Sequence, residues 1–375
     1  MLTTSRRTLL LSLTALAATA CASLADCGED VLAYVGLEGG HIEALRLDTC
    51  TGRLTALGPV ADLPRPRWLV ADPARALLYA ASDPQGHPGS VAAYAIDRAS
   101  GALRKQGELG AGGNGTTDLW LDSASASLLA AHFGSGSVSS LALQADGGLG
   151  QVASTRQNHG SGPHRRQAGP HAHGVVLAPD GRHALVADFG ADRVFVYGFD
   201  RATHSLSEAP VGAFAAPPGS GPHHLVFGAG GRFAYLLNEL SADVTTLRWN
   251  AQAARLDAVQ TVPLSSPGFA GVKSGSELAL SADGRFLYAA NRAQSQVLVY
   301  GVDAATGELR LLQRQASGGE APWTFALHPS GNWMLVAHAR GNRVDLLGVD
   351  PATGRLSATD QVLQMAAPLS LAFVD

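Results

Sequence analysis

The chain has few charged side chains and no segment with the period of a long helix. Only 15% of its 375 residues are Asp, Glu, Lys or Arg, and the formal net charge is −4. Loss of Arg6 and Arg7 with an N-terminal leader takes that charge from −4 to −6. This balance gives no sign of a nucleic-acid partner. The strand-like segments described below are not separated by any stretch with apolar residues at 3.6-residue spacing, so we expect no long amphipathic helix.

Long apolar runs are missing except near the N-terminus. The run from Leu9 to Ala20 is too short to span a bilayer as a stable helix, and it follows Arg6-Arg7. We therefore interpret residues 1–25 as an export signal, either of the twin-arginine type or an ordinary Sec signal. Cys21 is a candidate lipoprotein acceptor, and cleavage near Ala25 without lipid is the alternative. The expected location is periplasmic or otherwise extracytoplasmic.

Cysteine is also scarce, with three in the chain. Cys27 and Cys50 flank the first predicted hairpin, and they face each other if its turn centres on Glu38 and Gly39. In an oxidising compartment we expect a disulfide between Cys27 and Cys50, and two buried free thiols are the alternative. Neither cysteine is predicted to be catalytic, because the nearby sequence offers no histidine partner.

Glycine, proline and apolar residues are abundant, as expected of an all-β domain with many turns. A turn signature, D-x-x-[ST]-G-x-L, is complete at Asp48–Leu54, Asp97–Leu103, Asp303–Leu309 and Asp350–Leu356. Three weaker copies end at Leu149, Leu206 and Leu256. The copies recur about every 50 residues, which is the length of a four-stranded propeller blade.

Between these turns lie glycine turns followed by short apolar strands, such as Gly231–Asn238 and Gly284–Asn291. Together the patterns predict a seven-bladed β-propeller formed by a single domain over residues 27–375. The last segment, Pro368–Phe373, matches an inner strand, whereas Val31–Gly36 has no inner strand before it. We expect the C-terminal strand to pair with this N-terminal segment and close the ring. A monomer is expected.

Alignment of the blades places certain polar side chains at one mouth of the central channel. Each inner strand begins, and the next strand ends, at the same mouth. This register places His173 and His223 at strand starts, Glu239 and Arg292 at strand ends, and Glu277 beside a strand start.

Several strings resemble the propeller lactonases related to bacterial 6-phosphogluconolactonase, in order and in spacing. They are Ala131–Val138, Gly169–Val175, Gly221–Leu225, Asn238–Leu240, Ser276-Glu277 and Asn291-Arg292. The resemblance covers residues 30–375. It implies a carboxylic-ester hydrolase that opens a sugar or related lactone with activated water and needs no cofactor, and the N-terminal leader predicts that this hydrolase is exported. The chain also resembles carboxymuconate cyclases more distantly, and this resemblance implies that the His/Arg/Glu trio proposed as functional there falls on His173, His223 and Glu239.

The candidate catalytic residues are His173, Glu239, Arg292 and His223, and the candidate substrate-binding residues are His171, Glu277 and His224. Hydrolysis requires a base and groups that stabilise the oxyanion. His173 or Glu239 is the predicted base, with Arg292 and His223 as stabilisers. His223 stands where the family usually has arginine, which weakens the case for a phosphorylated substrate, as does export.

Other interpretations remain open at this point. Glu239 and Arg292 form a structural ion pair in one of them, and in another His173 and His223 tie strand starts to loops. A different class is a non-enzymatic exported propeller resembling YVTN-repeat proteins, which binds a ligand or acts as a scaffold. A metal site is the third alternative, since His159, His164, His171 and His173 crowd one Gly/Pro-rich stretch.

Overall fold

The structure is almost entirely β-sheet. It is a computed structural model that describes residues 30–84 and 87–374. In chain order the strands are β1 Val31–Leu37, β2 His41–Leu47, β3 Leu54–Asp62, β4 Pro66–Asp72, β5 Leu77–Ser82, β6 Ser90–Ile96, β7 Leu103–Gly110, β8 Thr116–Asp122, β9 Ser127–His132, β10 Ser137–Leu143, β11 Leu149–Gln157, β12 Ala172–Leu177, β13 His183–Asp188, β14 Arg193–Asp200, β15 Ser205–Leu206, β16 Gly212–Ala215, β17 Pro222–Phe227, β18 Phe233–Asn238, β19 Asp243–Asn250, β20 Arg255–Pro263, β21 Gly275–Leu280, β22 Phe286–Asn291, β23 Gln296–Val302, β24 Leu309–Ala316, β25 Thr324–Leu327, β26 Trp333–His338, β27 Arg343–Val349, β28 Leu356–Gln364 and β29 Pro368–Val374. Short 3₁₀ turns lie at Pro73–Arg75 and Arg292–Gln294.

The strands form seven antiparallel sheets within the described residues. Six are β4–β7, β8–β11, β12–β16, β17–β20, β21–β24 and β25–β28, and the seventh has the order β29-β1-β2-β3. In the β12–β16 sheet the outer strand is divided, because β15 and β16 both pair with β14. Each innermost strand contacts that of the next sheet, in the cyclic order β29, β4, β8, β12, β17, β21, β25 and back to β29. The predicted seven-bladed β-propeller is confirmed.

The C-terminal strand closes this ring as predicted. β29 pairs antiparallel with β1, with Leu32 opposite Val374 and Gly36 opposite Ser370. The Ser370 hydroxyl also donates to the Pro66 carbonyl at 2.9 Å, which joins the closing blade to the next one. The closing strand is therefore tied to both of its neighbours, and β1 presents no unpaired edge.

The D-x-x-[ST]-G-x-L signature forms the turn between the third and fourth strands of a blade. In the first copy the Asp48 carboxylate accepts from the backbone N–H groups of Cys50 and Thr51 at 2.9 and 3.0 Å. The glycine of that copy, Gly52, has φ +73°, a conformation that glycine adopts without steric cost. The two copies that lack the glycine keep the same geometry, since His204 has φ +56° and Ala254 has φ +47°.

Over residues 30–84 and 87–374 the hydrophobic core is divided into seven clusters, and each lies between two neighbouring blades. Tyr34 of β1 illustrates the packing, because it is fully buried against β4–β6 and its hydroxyl donates to the Gly101 carbonyl at 3.0 Å. Tyr79 of the next blade bonds the Gly147 carbonyl in the same way at 2.6 Å. Burial between blades therefore fixes each blade relative to its neighbours and keeps the channel walls rigid.

The first hairpin differs from its prediction by one residue. β1 pairs with β2 so that Val31 faces Leu47 and Leu37 faces His41, which centres the turn on Gly39 rather than between Glu38 and Gly39. The assumption that placed Cys27 directly opposite Cys50 was therefore wrong. Cys27 lies outside the described residues, as do residues 1–25, so the disulfide and the export signal stay predictions. No helix in the described part of the chain is long and apolar enough to cross a membrane.

Candidate active site at the channel mouth

A β-bulge recurs where the innermost strands begin. In six blades the pairing with the second strand leaves one extra residue on the innermost strand. A bulge of this kind re-aims side chains away from the regular pleat. The residues left out of the pairing are Arg67, Thr117, His173, His223, the pair Ser276 and Glu277, and Leu369.

Every one of these residues lines a cavity of about 130 Å³ at the mouth of the channel. We call it the mouth cavity. Its remaining walls come from strand ends, from the loop before β12 and from the residues next to the bulges. These other lining residues are Trp68, Phe133, Arg166, His224, Glu239, Arg292, Trp323 and Thr324. All seven blades therefore contribute to one site.

Glu239 lies at the centre of a group of positively charged and polar side chains. Its carboxylate accepts a hydrogen bond from Arg166 Nη1 at 2.5 Å and lies 3.5 Å from His223 Nε2. Arg292 Nη1 is more distant, at 4.0 Å. Glu239 is only 4% exposed. The strongest partner of Glu239 is thus Arg166, and not Arg292 as in the predicted inter-blade ion pair.

His224 and Glu277 form a second, separate pair. Glu277 Oε1 lies 2.8 Å from His224 Nδ1 and accepts the Leu278 N–H, while Oε2 accepts the Thr324 hydroxyl at 2.8 Å. Because an ionised carboxylate can only accept hydrogen bonds, His224 Nδ1 carries the proton and donates a hydrogen bond to Glu277. The other ring nitrogen, Nε2, is buried and has no hydrogen-bond partner among the described residues. Neutral His224 therefore presents a free lone pair at Nε2.

The electrostatic surroundings make His224 the most basic imidazole of the mouth. Burial alone would lower its pKa, but the charge and hydrogen bond of Glu277 and the charge of Asp118 outweigh this and raise it. The pKa of His173 lies well below its ordinary value, first because of burial and then because of the charge of His224. Burial also lowers the pKa of His223, followed by the charge of His173. His173 and His223 are therefore neutral near pH 7.

His173 and His223 stack on one another, with ring centroids 3.5 Å apart and an interplanar angle of 30°. Nδ1 of each ring is buried without a hydrogen-bond partner among the described residues. The interpretation in which these imidazoles tie strand starts to loops is therefore not supported. Buried polar atoms without partners carry a desolvation cost, which a bound ligand with complementary hydrogen-bonding groups would remove.

Two arginines pack on Trp323 at the edge of the mouth cavity. The guanidinium carbon of Arg292 lies 4.5 Å from the Trp323 ring centroid, and that of Arg67 lies 5.3 Å from it. Burial lowers the pKa of both arginines. Both stay charged, because a guanidinium group is not deprotonated in proteins. Arg292 Nε is buried without a hydrogen-bond partner among the described residues. The mouth thus offers donors to an oxygen-rich or anionic ligand.

One nitrogen from each of His173, His223 and His224 lies within 4.8 Å of the others. The chemistry of the surroundings does not suit a cation, because Arg67, Arg166 and Arg292 line the same cavity. His173 and His223 also stack face to face, and the lone pair of an imidazole nitrogen lies in the plane of its ring. The lone pairs of the two stacked rings therefore run side by side and do not converge on one metal ion.

The predicted metal alternative named a different set of histidines. His159, His164 and His171 belong to no group of three or more potential ligands in the described part of the chain. That ligand set was therefore wrong.

Comparison with known proteins gives the family. A family model described as "Lactonase, 7-bladed beta-propeller" matches residues 32–373. The chain belongs to this family. It is 31% identical over 303 residues to a 6-phosphogluconolactonase of Bacillus subtilis, covering 80% of this chain and 85% of that protein.

Two solved structures are similar over nearly their whole length. The periplasmic gluconolactonase PpgL of Pseudomonas aeruginosa is 33% identical, with a TM-score of 0.86 over 92% of this chain and 99% of its own. A putative 6-phosphogluconolactonase of Bacteroides fragilis is 28% identical, with a TM-score of 0.84 over 92% of this chain and 98% of its own. The family supports the predicted enzyme class, a lactonase, over the non-enzymatic YVTN-like alternative.

In this lactonase the mouth cavity gathers six of the seven predicted site residues. His173, His223, His224, Glu239, Glu277 and Arg292 all line it. His171 does not, because its ring stacks on Phe133 at 4.5 Å and its Nδ1 lies 2.7 Å from the Phe133 carbonyl. The structure therefore places His171 behind Phe133, where it supports the cavity wall.

Sequence reasoning missed several residues of the lactonase mouth. Arg67 and Trp68 follow Pro66, as His223 follows Pro222 and Trp323 follows Pro322, and that shared proline was a usable signal. Thr117 lacked such a signal. Arg166 lies in the unrepeated segment between β11 and β12, so blade register gave no means of placing it.

Proposed function

We propose that this lactonase hydrolyses a sugar lactone in the mouth cavity with His224 as the base that activates water, and that it does so after export. The observation that carries the proposal is the buried His224–Glu277 pair, which lies beside three arginines in a cavity lined by all seven blades. A lactone needs a base for water and positive charge or donors for the developing oxyanion, and this cavity combines both.

His224 is favoured over the predicted bases for electrostatic reasons. Glu239 is held by Arg166 at 2.5 Å, and a carboxylate that accepts a charge-assisted hydrogen bond has its proton-accepting oxygen engaged. His173 has a pKa lowered by burial, which weakens it as a base. His224 has a raised pKa, a fixed tautomer and a free Nε2. These features match those of an imidazole oriented by a carboxylate.

The reaction then proceeds by ordinary acyl transfer to water. His224 Nε2 takes a proton from water as the water oxygen bonds to the ring carbonyl carbon. The carbonyl oxygen becomes an oxyanion, stabilised by Arg292 and by the N–H group of neutral His173. Collapse breaks the ring C–O bond, and the leaving alkoxide takes the proton from His224. Glu239 holds Arg166 and His223 in position and does not itself react.

Export supports a lactone without phosphate as the substrate. Phosphorylated sugars belong to the cytoplasm, whereas one similar structure is that of a periplasmic gluconolactonase. The presence of His223 at the usual arginine position also favours a substrate without a phosphate group. Subcellular fractionation with N-terminal sequencing of the mature chain tests the location, and an Arg6→Lys, Arg7→Lys double variant tests the twin-arginine route.

The activity is tested by the pH dependence of lactone opening. Neutral His224 is the active form, so kcat/KM should fall as pH drops through the raised pKa of His224. Glu277→Gln removes the charge that raises this pKa, so the acidic limb of the profile should move to lower pH. His224→Gln should lower turnover by about 10²–10⁴-fold.

His173→Gln is the matched control, because it alters a neighbouring imidazole that we assign to oxyanion binding. It should lower turnover without moving the acidic limb. The opposite result would make His173 the base. In that case the acidic limb of the pH profile would shift in His173→Gln and stay in place in Glu277→Gln. Failure of the wild-type protein to open aldonolactones and other five- and six-membered lactones would refute the activity on sugar lactones.

A further inference from the structure

A second cavity lies in the channel behind the mouth. It has a volume of about 440 Å³, and we call it the channel cavity. Trp68, His224 and Glu277 line both cavities and so form the partition between them. The catalytic pair proposed above therefore faces the substrate on one side and a separate compartment on the other.

The channel cavity has one titratable residue that the mouth lacks, Asp118. Its Oδ2 accepts the Val175 N–H at 2.7 Å, and the residue is 6% exposed. The titratable residues that line this cavity are Asp118 from β8, His224 from β17 and Glu277 from β21. The residues contributed by β4 and β12 are Trp68, Val70, Ala71, Val175 and Val176, and none of them ionises.

Burial raises the pKa of Asp118 to about 7, while the charge of His224 opposes the rise. A carboxyl group with this pKa takes up and releases protons near neutral pH, which an ordinary aspartate does not do. Asp118 and His224 also influence one another electrostatically, since the Asp118 charge favours protonated His224. The two groups therefore titrate as linked sites in one compartment.

Lactone hydrolysis requires an exit for a proton. Water adds across the acyl C–O bond, and His224 returns the first proton to the leaving alkoxide. The product is then a carboxylic acid, which is ionised at pH 7 and so leaves one proton in the site per turnover. That proton reaches His224 Nε2, and the base must lose it before the next cycle.

The mouth is a poor exit, because the product and three arginines occupy it. The mouth cavity has three arginines, Arg67, Arg166 and Arg292, against the two carboxylates Glu239 and Glu277. The channel cavity has no arginine or lysine in its lining, and besides His224 its titratable residues are the acidic Asp118 and Glu277. A hydrated proton is therefore repelled more strongly on the mouth side. The electrostatic gradient therefore favours release toward the channel cavity.

We propose that Asp118 is the proton-transfer residue that takes this proton from the His224–Glu277 pair, through water in the channel cavity, and passes it to solvent. The substrate and the proton then use opposite faces of the partition. This inference rests on the proposed function, because it assumes that His224 is the base.

The test is chemical rescue of Asp118→Asn. The asparagine keeps an oxygen for the Val175 N–H but transfers no proton. In dilute buffer we expect kcat to fall by about 10²-fold while KM stays within about twofold. A small buffer with a pKa near neutral, such as imidazole, should restore kcat as its concentration rises. Wild-type protein and the Ser123→Ala control, which alters an exposed residue of the same cavity, should not respond to imidazole.

Two outcomes would overturn the proposal. One is an unchanged kcat in Asp118→Asn. The other is a loss of kcat that imidazole does not restore, which would assign Asp118 a purely structural role. Melting temperatures of both variants show whether the protein is folded in each assay.

A measurement that needs no substrate separates this proposal from the lactonase activity. Infrared difference spectra of wild type minus Asp118→Asn should show a protonated carboxyl band that disappears as pH rises through about 7. If no lactone is opened but this band titrates as expected, the proposed function has failed and the proton site remains. If lactones are opened but no such band titrates near neutral pH, Asp118 is not the proton-transfer residue.

Discussion

The outer rim of this propeller repeats the same residues from blade to blade, whereas the mouth varies them. At the rim, the turns between third and fourth strands repeat one sequence and one hydrogen-bond pattern, as at Asp303, which accepts from the N–H groups of Ala305 and Thr306. At the mouth, one backbone feature, the bulge, also repeats in six blades, but the side chains that it carries vary: arginine, threonine, histidine in two blades, serine with glutamate, and leucine. Repetition thus supplies the scaffold, and variation at an equivalent backbone position supplies the chemistry.

The largest expected effect comes from a change that damages both regions at once. Deletion of residues after Ala367 removes β29, which exposes the hydrogen-bonding edge of β1 and takes Leu369 from the mouth. Because buried backbone groups lose their partners, we expect the ring to open and both the cooperative melt and the activity to be lost. Thermal melts followed by circular dichroism measure this. An unchanged melting temperature would mean that β29 is dispensable for closure.

The next effect should appear in the mouth alone. Glu239→Gln weakens the contacts that position Arg166 and His223, and we expect kcat/KM to fall by about 10²-fold, the scale of a small misplacement of reacting groups. The melting temperature should change little, because Arg166 is 44% exposed. Kinetics and melts of the same preparation provide the measurement.

Asp345→Asn is the control for that variant. Asp345 is buried and pairs with Arg343, but it lines neither cavity. It should lose stability with unchanged kcat/KM in the folded fraction. If Asp345→Asn and Glu239→Gln had the same effects, the distinction between mouth and scaffold would be wrong.

Acid should destabilise the scaffold through a buried histidine outside the mouth. Burial lowers the pKa of His132 to about 4, where its ring lies between the Thr116 and Ser139 hydroxyls. In the unfolded chain His132 binds a proton as pH falls through about 6.5, whereas in the folded chain it does not do so until about pH 4. The free energy of unfolding therefore decreases as pH falls from about 6.5 to about 4. The loss from this one group is about 3 kcal/mol.

Urea unfolding at neutral and acidic pH, in wild type and His132→Gln, measures this contribution. The pH dependence should be smaller in the variant. Asp118 acts in the opposite direction, because its raised pKa favours the folded state as pH falls. Asp118→Asn should therefore make acid destabilisation steeper. A variant His132→Gln with an unchanged pH dependence would show that other groups govern the acid response.

The smallest effect is expected at the rim. Gly307 has φ +77°, and a Cβ there would lie 2.5 Å from the Phe233 ring, so Gly307→Ala should cost about 1–2 kcal/mol or more. His204→Gly is the matched change at the turn that already tolerates a side chain. It relieves positive φ but loses the contact between His204 Nδ1 and the Ser127 hydroxyl at 2.8 Å, so it should change stability by less than about 1 kcal/mol. Equal effects at the two positions would contradict this reading of the turn signature.

The contrast between rim and mouth also explains which features could be predicted from the sequence. The period of the rim signature and the apolar hairpins were enough for blade number, ring closure and the register that brought His173, His223, Glu239 and Arg292 together. These features follow from local turn chemistry, which repeats along the chain. The one-residue error in the first hairpin arose because Glu38, Gly39 and Gly40 permit more than one turn.

The missing parts of the site depend on packing that no local pattern carries. Arg166 reaches Glu239 from an unrepeated loop, and the pairing of His224 with Glu277 joins blades whose relative rotation the sequence does not contain. The role proposed for Asp118 depends on the second cavity, which no sequence pattern indicates. Individual assignments of base and stabiliser therefore needed distances and burial.

Closure of the ring by β29 also determines when the site can form during synthesis of the chain. A ribosome releases the chain from its N-terminus, so β1 emerges well over 300 residues before β29. At ordinary synthesis rates this interval is on the order of half a minute. During that interval the wall of the mouth formed by Leu369 does not exist, and no translation product that stops before β29 contains the whole site. The enzyme therefore becomes competent only after β29 has been synthesised.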